Sequence, residues 1–398
     1  MTLRVDVSGA DNFALQEAIS AYTDEAYTNA KKLSGTGIVS GNPQIDTNTE
    51  TFIGQMRWFK PMNPTINIAS LTDSADGTGS TYTSDYLNYV KTVRTYGGTK
   101  VNMQEVVTQQ DGLAKIGRDF GEHRSQDEHN AILAILKGVA ISEAINGAAV
   151  GGGGTGLGGQ TFENDPTDPK YGFYVDLGSD AVVKAYDNTV ASMERGAQRA
   201  AGFLNAFGMA YKDYEPEYAY LITSPEVMAS LRSANLVDQD GVVDGNIKFD
   251  TIFQGKFRLI QTRAAQSLSA AELAKLNTGA GVDIVGTKTS FIVLPGAIAM
   301  ESLNVPMPVE IDRAPASYKG GGSTSIWHRW GYVAHPAGYN WAGSQDSFPS
   351  DAMYQYGIDN NTPTLLTDIA DTLANTTGTW IRKADSALSL GILPIFHS

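Results

Sequence analysis

The sequence predicts an α+β chain in which an N-terminal arm, a long β-hairpin, a long helix and a mixed α/β region follow one another. Three observations carry this. Apolar residues recur at helical spacing from Leu113 to Ile145. Two segments rich in Tyr, Val and Thr flank a polar, turn-forming stretch at residues 72–80. Near the C-terminus an aromatic run, W-H-R-W-G-Y-V-A-H-P-A-G-Y-N-W over residues 327–341, stops at His335-Pro336-Ala337-Gly338 and restarts with Tyr339 and Trp341. Pro336 fixes its own φ and Gly338 permits a positive one, so this run reads as a packing strand that ends in a tight turn.

Residues 1–50 open with a helical pattern. Asp11 is a candidate cap, Phe13 lies near the start, and Leu15, Ile19 and Tyr22 recur on one face. A polar stretch at 34–51 follows, so the segment reads as a short helix on an extended arm. The first hairpin strand, 52–68, contains Pro61 and Pro64 and is expected at an edge or broken. The return strand spans 86–96. A hairpin this long cannot be stable alone and should lie on something else. Its Arg57, Lys60, Lys91, Arg94 and Lys100 narrowly outnumber Asp73, Asp76, Asp85 and Glu105. Two readings stay open here: docking onto an acidic neighbour, or an ordinary solvated face.

The long helix is expected over 111–146, capped by Asp111. Gly117, Gly121 and Gly138 weaken it locally and Gly147 is placed to end it. At 1.5 Å per residue it would be about 50 Å long, a backbone spar. A run of glycines at 151–159 then marks a boundary or a large loop. Residues 175–330 read as mixed α/β. An amphipathic helix over 180–201 carries Val183, Tyr186, Val190, Met193 and Ala197 on one face. Strands are expected over 218–223, 256–262, 291–294 and 308–313. Ser224-Pro225-Glu226 starts a helix, with a hydroxyl cap, proline at the first position and an acid in the first turn. After a polar stretch from 344, a helix follows Thr362-Pro363 and an apolar strand closes the chain over 388–396.

The 398 residues allow two or three domains and a large core. Lys and Arg total 29 against 43 Asp and Glu, a net charge of −14. That argues against tight, sequence-independent DNA binding, which needs a basic face, and suits a wall that DNA can lie against without sticking. With no cysteine, disulfides, thiolate-bound zinc and a thiol nucleophile are excluded. Residues 1–6 have no apolar core, so no secretory signal is expected. The apolar stretch 291–300 is interrupted by Pro295 and too short to cross a bilayer.

Motifs for chemistry are weak. Gly151-x-Gly153-x-x-Gly156 and Gly154-x-Gly156-x-x-Gly159 match the dinucleotide pattern only through glycine density. A helix precedes them where a strand is required, and no Lys-Ser/Thr closes a P-loop. Asp238-x-Asp240-Gly241-x-x-Asp244-Gly245 imitates a calcium loop, but its fifth position is Val242 and its twelfth Phe249, so it reads as acidic surface turns. His123 and His129 are six apart and share no helix face, whereas His123 and Asp127 are placed to pair. His328 and His335 flank a strand and its turn. No G-x-S-x-G elbow exists. Asp213, Glu215 and Glu217, among Tyr211, Tyr214, Tyr218 and Tyr220, could imitate a sugar-cleaving site but read better as a loop entering a strand. No catalytic, cofactor-binding or metal residues are assigned.

Several segments, in order, resemble the HK97-like major capsid proteins of tailed double-stranded DNA phages. The arm, hairpin and spar of residues 1–146 are similar to that family's N-arm, E-loop and spine helix. Asp111-Gly112-Leu113-Ala114-Lys115-Ile116-Gly117 and Ile135-Leu136-Lys137-Gly138-Val139 resemble the start and middle of the spine. Ser224-Pro225-Glu226-Val227 with Leu231 and Asn235-Leu236 resembles a helix of the A-domain. Gly296-Ala297 with Pro306-x-Pro308-Val309-Glu310-x-Asp312-Arg313 resembles a strand motif. The His-Pro-x-Gly turn followed by Tyr339, and Trp380-Ile381-Arg382-Lys383, resemble the family's closing elements.

The resemblance implies an HK97-like fold divided into an N-terminal arm (1–50), an E-loop hairpin (51–105) and a P-domain with the spine helix (106–170). An A-domain with P-domain strands near its end (171–325) and a return strand with C-terminal extension (326–398) complete it. It implies a coat subunit, not an enzyme, that assembles into hexamers and pentamers of an icosahedral head around packaged double-stranded DNA, made in the host cytoplasm and resident in the virion. Implied partners are further copies of the chain, portal and scaffolding proteins, a decoration or cement protein, and weakly contacted DNA, with no cofactor and no membrane. Arg57, Lys60, Lys91, Arg94 and Lys100 become expected inter-subunit contacts. The Lys–Asn crosslink of some members has no matching positions here. Because the sequence begins close to the arm, scaffolding is expected to be a separate protein. Two alternatives stand beside this: an encapsulin-like shell, for which the segment after Gly151 and the 344–398 extension make the chain long, and a carbohydrate-active enzyme acting as a monomer.

Overall fold

The computed structural model describes residues 9–31, 33–59, 84–101, 112–149, 174–176, 192–211, 216–244, 247–262, 272, 288–343, 348–356, 379–383 and 390–397. Five helices are described: α1 (Gly9–Ala30), α2 (Gly112–Ala149), α3 (Ser192–Ala210), α4 (Pro225–Ser233) and α5 (Asp351–Tyr356). The strands in chain order are β1 (Val39–Ser40), β2 (Ile53–Phe59), β3 (Ser84–Val101), β4 (Val175–Asp176), β5 (Ala219–Thr223), β6 (Asp238–Asp244), β7 (Ile247–Ile252) and β8 (Phe257–Gln261). They continue with β9 (Lys288–Val293), β10 (Ile298–Ser302), β11 (Val309–Ala314), β12 (Ser323–Pro336), β13 (Tyr339–Trp341), β14 (Trp380–Arg382) and β15 (Ile392–His397). The expected α+β class is what the structure has.

Helix α2 is the spar, 38 residues and about 57 Å long. It runs through Gly147 to Ala149, past the expected stop. The reason lies in its second half, where every residue from Ala131 to Ala144 is buried or nearly so. A helix covered on all sides is held by packing, and that outweighs the roughly 1 kcal/mol cost of a glycine. The internal glycines have a positive use as well. A Cβ on Gly117 would sit 2.8 Å from Cβ of Tyr22, and one on Gly121 would sit 2.4 Å from the carbonyl oxygen of Thr23. Both therefore let α1 lie directly on α2. The N-terminal helix is longer than expected, 22 residues, and is docked on the spar.

The first sheet is organised by β12, 14 residues long. One of its edges pairs with β3 from Ser323 to Val333. The other is shared end to end, β11 taking Ser323 to His328 and β10 taking Tyr332 to Pro336. β3 is 18 residues long and hands over from β12 to β2 near Lys91. The hairpin is thus anchored in the main sheet of its own chain at its base. Pro61, Pro64 and residues 72–80 lie outside the described residues, as does residue 105.

The second sheet has the order β4-β15-β9-β5-β8-β7-β6, parallel only at β4–β15 and β5–β8. The apolar tail expected near 388–396 becomes β15, an interior strand. α4 begins as its sequence requires, the amide N–H of Val227 donating to Oγ of Ser224. The expected 180–201 helix is described from Ser192, where α3 covers its second half and runs on to Ala210, burying Phe203, Ala206 and Phe207. Val183, Tyr186 and Val190 lie outside the described residues, and so does the helix expected after Thr362-Pro363. The acidic segment 238–244 is corrected from a surface loop to strand β6, bulged between Asp238 and Val242 and paired with β7. One hydrophobic cluster joins both sheets to the second half of α2.

Candidate functional site

The residues expected to face a neighbour separate into two groups. Lys91 is fully buried. Its ammonium donates to Oδ2 of Asp46 at 2.8 Å, to the carbonyl oxygen of Asn48 and to Oγ1 of Thr51. All three acceptors come from the segment joining β1 to β2, so Lys91 ties that segment onto β3. The same hydrogen bond holds the Asp46 carboxyl below its usual value. Lys91 is therefore corrected from an inter-subunit contact to an internal clasp, because every solvent-facing route to its charge is closed.

Arg94 is half-buried and paired within the chain. Its guanidinium lies 3.4 Å from Oδ1 of Asp127 and donates to Oδ1 of Asp351 at 3.1 Å. Oδ2 of Asp127 also accepts from Nε1 of Trp330 at 3.2 Å and from the hydroxyl of Tyr332 at 3.1 Å. Burial raises the Asp351 carboxyl against the pull of Arg94. This seam joins α2, β3, β12 and α5. It also overturns the expected His123–Asp127 pair: Asp127 faces the sheet, and the His123 ring lies 4.4 Å from that of Tyr96. Arg94→Met keeps the stem but strands two half-buried carboxylates, and should lower stability by about 2 kcal/mol. A urea melt of the unassembled subunit measures this; an unchanged midpoint would show that the seam contributes nothing.

Arg57 is the described hairpin cation that faces outward, over the exposed ring of Tyr86, 5.9 Å from the ring centre. Lys100 stands opposite Thr324 in the β3–β12 register. Lys60 lies outside the described residues.

The other candidates take structural roles. His335 is buried against Trp380, ring centres 5.6 Å apart, and burial lowers its pKa to about 3. His328 stacks between Phe120 and Trp330, and burial aided by Arg124 lowers its pKa to about 4. Beyond the Pro336 turn, Trp341 faces Trp380 across β13–β14, and Nε1 of Trp380 donates to the carbonyl oxygen of Tyr354. Near the imitation sugar site, Tyr211 is buried with its hydroxyl donating to the carbonyl oxygen of Leu390, and Tyr220 is fully buried. Neither ring is available as a platform; Asp213, Tyr214 and Glu215 lie outside the described residues. A groove of about 660 Å³ between α1 and α2 is lined by Glu25, Asn29, Arg118, Asp119 and Glu122 among others. No group of three potential metal ligands occurs among the described residues. The interior seams had no signal in the sequence: Arg94 and Asp351 are 257 positions apart.

No protein-family model and no curated protein matches this chain. Among solved structures it is similar to the capsid of Ralstonia phage GP4, at 10% identity and a TM-score of 0.49, over 78% of this chain and 87% of that one. It is also similar to the mature capsid of bacteriophage PhiM1, at 13% identity and a TM-score of 0.41, over 75% and 83%. A structure from Mycobacterium phage Bobi is similar at 10% identity and a TM-score of 0.42, over 93% and 92% of the two chains.

Proposed function

We propose that this chain is the major capsid protein of a tailed double-stranded DNA phage: a coat subunit that forms hexamers and pentamers of an icosahedral head. The observation that carries the reading is the union of a 38-residue spar with a sheet in which the 18-residue strand β3 pairs with β12 along one end and with β2 as a hairpin along the other. A cleft enzyme has little use for such a strut, whereas a shell subunit needs a stiff member and a projecting strand pair that can lie on the next copy. The ordered sequence motifs shared with HK97-like coats support the same reading.

In this reading residues 1–50 form the arm, 51–105 the E-loop, 106–170 the spine portion of the P-domain, 171–325 the A-domain with late P-domain strands, and 326–398 the return strand and extension. Portal, scaffolding and decoration proteins are its partners, and the net charge of −14 leaves DNA only weakly held. Assembly takes place in the host cytoplasm and the product resides in the virion. Negative-stain electron microscopy of the purified chain, alone and with its genomic neighbours, tests the reading. Closed shells or capsomer rings are expected; a monodisperse monomer under every condition would discard it.

Arg57 remains the hairpin contact to test. Arg57→Glu should weaken assembly more at 50 mM than at 500 mM salt, because exposed pairs are screened. Light scattering at the two salt levels reads this, and equal assembly at both would remove Arg57 from the interface.

A further inference from the structure

Two exposed features sit toward opposite ends of strand β3. At one end Arg57 and Tyr86 stand opposite each other in the β2–β3 register, both exposed, with the guanidinium over the ring. At the other end Trp327 of β12 stands opposite Gly97 of β3. Its side chain is 45% exposed, whereas Trp330, Trp341 and Trp380 are buried. A Cβ on Gly97 would lie 2.6 Å from Cζ3 of Trp327 and 2.7 Å from Cε3. The missing side chain is what lets the indole lie across β3 while the rest of its surface meets water.

Carboxylates stand beside the indole. Glu310 of β11 is opposite Trp327 on the side away from β3, and Asp312 follows two residues along, on the same face of the sheet. Glu310 pairs with Arg329 of the same face. Asp312 is exposed and has no ion-pair partner among the described residues, so the patch carries an uncompensated negative charge. An exposed indole with a carboxylate within reach fits a cation, and a guanidinium above all, because it stacks on the ring and hydrogen-bonds the carboxylate.

We propose that Trp327 and Asp312 of one copy receive Arg57 of a second copy. This rests on the coat reading and names the surface that its hairpin meets. Charge complementarity selects Arg57, an outward-facing cation that brings an exposed aromatic, Tyr86, for the indole to cover. Placement selects a second copy. Tyr86 and Gly97 are about 36 Å apart along β3 at 3.3 Å per residue, and they point to opposite faces because an odd number of residues separates them. The two halves of the contact therefore cannot meet within one chain. A contact between two different patches is head-to-tail: each pairing leaves one half free on either copy, and the set is completed when the copies close into a ring.

Sedimentation velocity of the full chain tests this through two double-variant cycles. Arg57→Ala and Trp327→Ala should each weaken self-association about ten-fold, and the double variant should be no weaker than either, because both remove the same stack. Arg57→Ala with Asp312→Ala should behave in the same way. Asp312 is exposed and away from the core, so this second cycle stands even if loss of the indole disturbs the sheet. Single variants that associate like the wild type, or double variants whose losses multiply to about a hundred-fold, would overturn the proposal while leaving the coat reading intact. A wild-type chain that never associates would overturn both.

Discussion

Gly138→Ala should destabilise the subunit by about 3 kcal/mol, although alanine in a helix interior ordinarily gains about 1 kcal/mol over glycine. The sign is set by what lies above this point of α2. A Cβ on Gly138 would stand 2.1 Å from the carbonyl oxygen of Tyr354 and 3.0 Å from Nε1 of Trp380. Those two atoms are hydrogen-bonded to each other at 3.1 Å. The first obstacle is backbone, so no rotamer change relieves it: α5 must lift from the spar and open the Trp341–Trp380–Tyr354 cluster. Gly208→Ala is the control. It lies on the exposed side of α3 with nothing within 4 Å of its Cβ, and should gain about 1 kcal/mol. Guanidinium melts of the two unassembled subunits should move in opposite directions. If Gly138→Ala is as stable as the wild type, α5 does not rest on the spar.

Acid should destabilise the subunit through His335 and His328. Both are held neutral in the fold, with pKa values of about 3 and about 4 against an ordinary 6.5. Below pH 6.5 the unfolded chain takes up protons that the folded chain refuses. The stability these residues confer is therefore complete above pH 6.5 and is lost as pH falls toward 4 and 3. At pH 5 each costs about 2 kcal/mol, a large part of a typical domain's stability. Glu128 and Asp351 act the other way, because burial raises their carboxyl pKa values and the fold takes up their protons first. The net fall is thus smaller than the histidines alone would give. His335→Met keeps apolar volume against Trp380 and isolates the histidine contribution: the wild type should lose about 2 kcal/mol more than the variant between pH 7 and pH 5. Urea midpoints at the two pH values measure it, and parallel losses would show that His335 titrates normally.

The elements legible from sequence were those whose signal is local. The periodicity after Leu113, the cap at Ser224, the Tyr- and Val-rich return strand and the Pro336–Gly338 turn each state a backbone preference within a few residues, and α2, α4, β3 and the β12–β13 turn follow them. The order of these elements was enough to suggest a shell subunit. Only the tertiary structure decided what each charged or small residue was for. Lys91 and Arg94 looked like free surface cations because charge in a strand says nothing about which face is covered; Asp46, Asp127 and Asp351 arrive from elsewhere in the chain and pair with them. Gly117, Gly121 and Gly138 looked like weak points because helix propensity counts only the helix's own backbone; α1 and α5 turn the missing side chains into contact surface. Local sequence determines conformation through short-range sterics and hydrogen bonds, whereas burial is a property of whatever is brought across from distant positions, and no spacing along one segment encodes that.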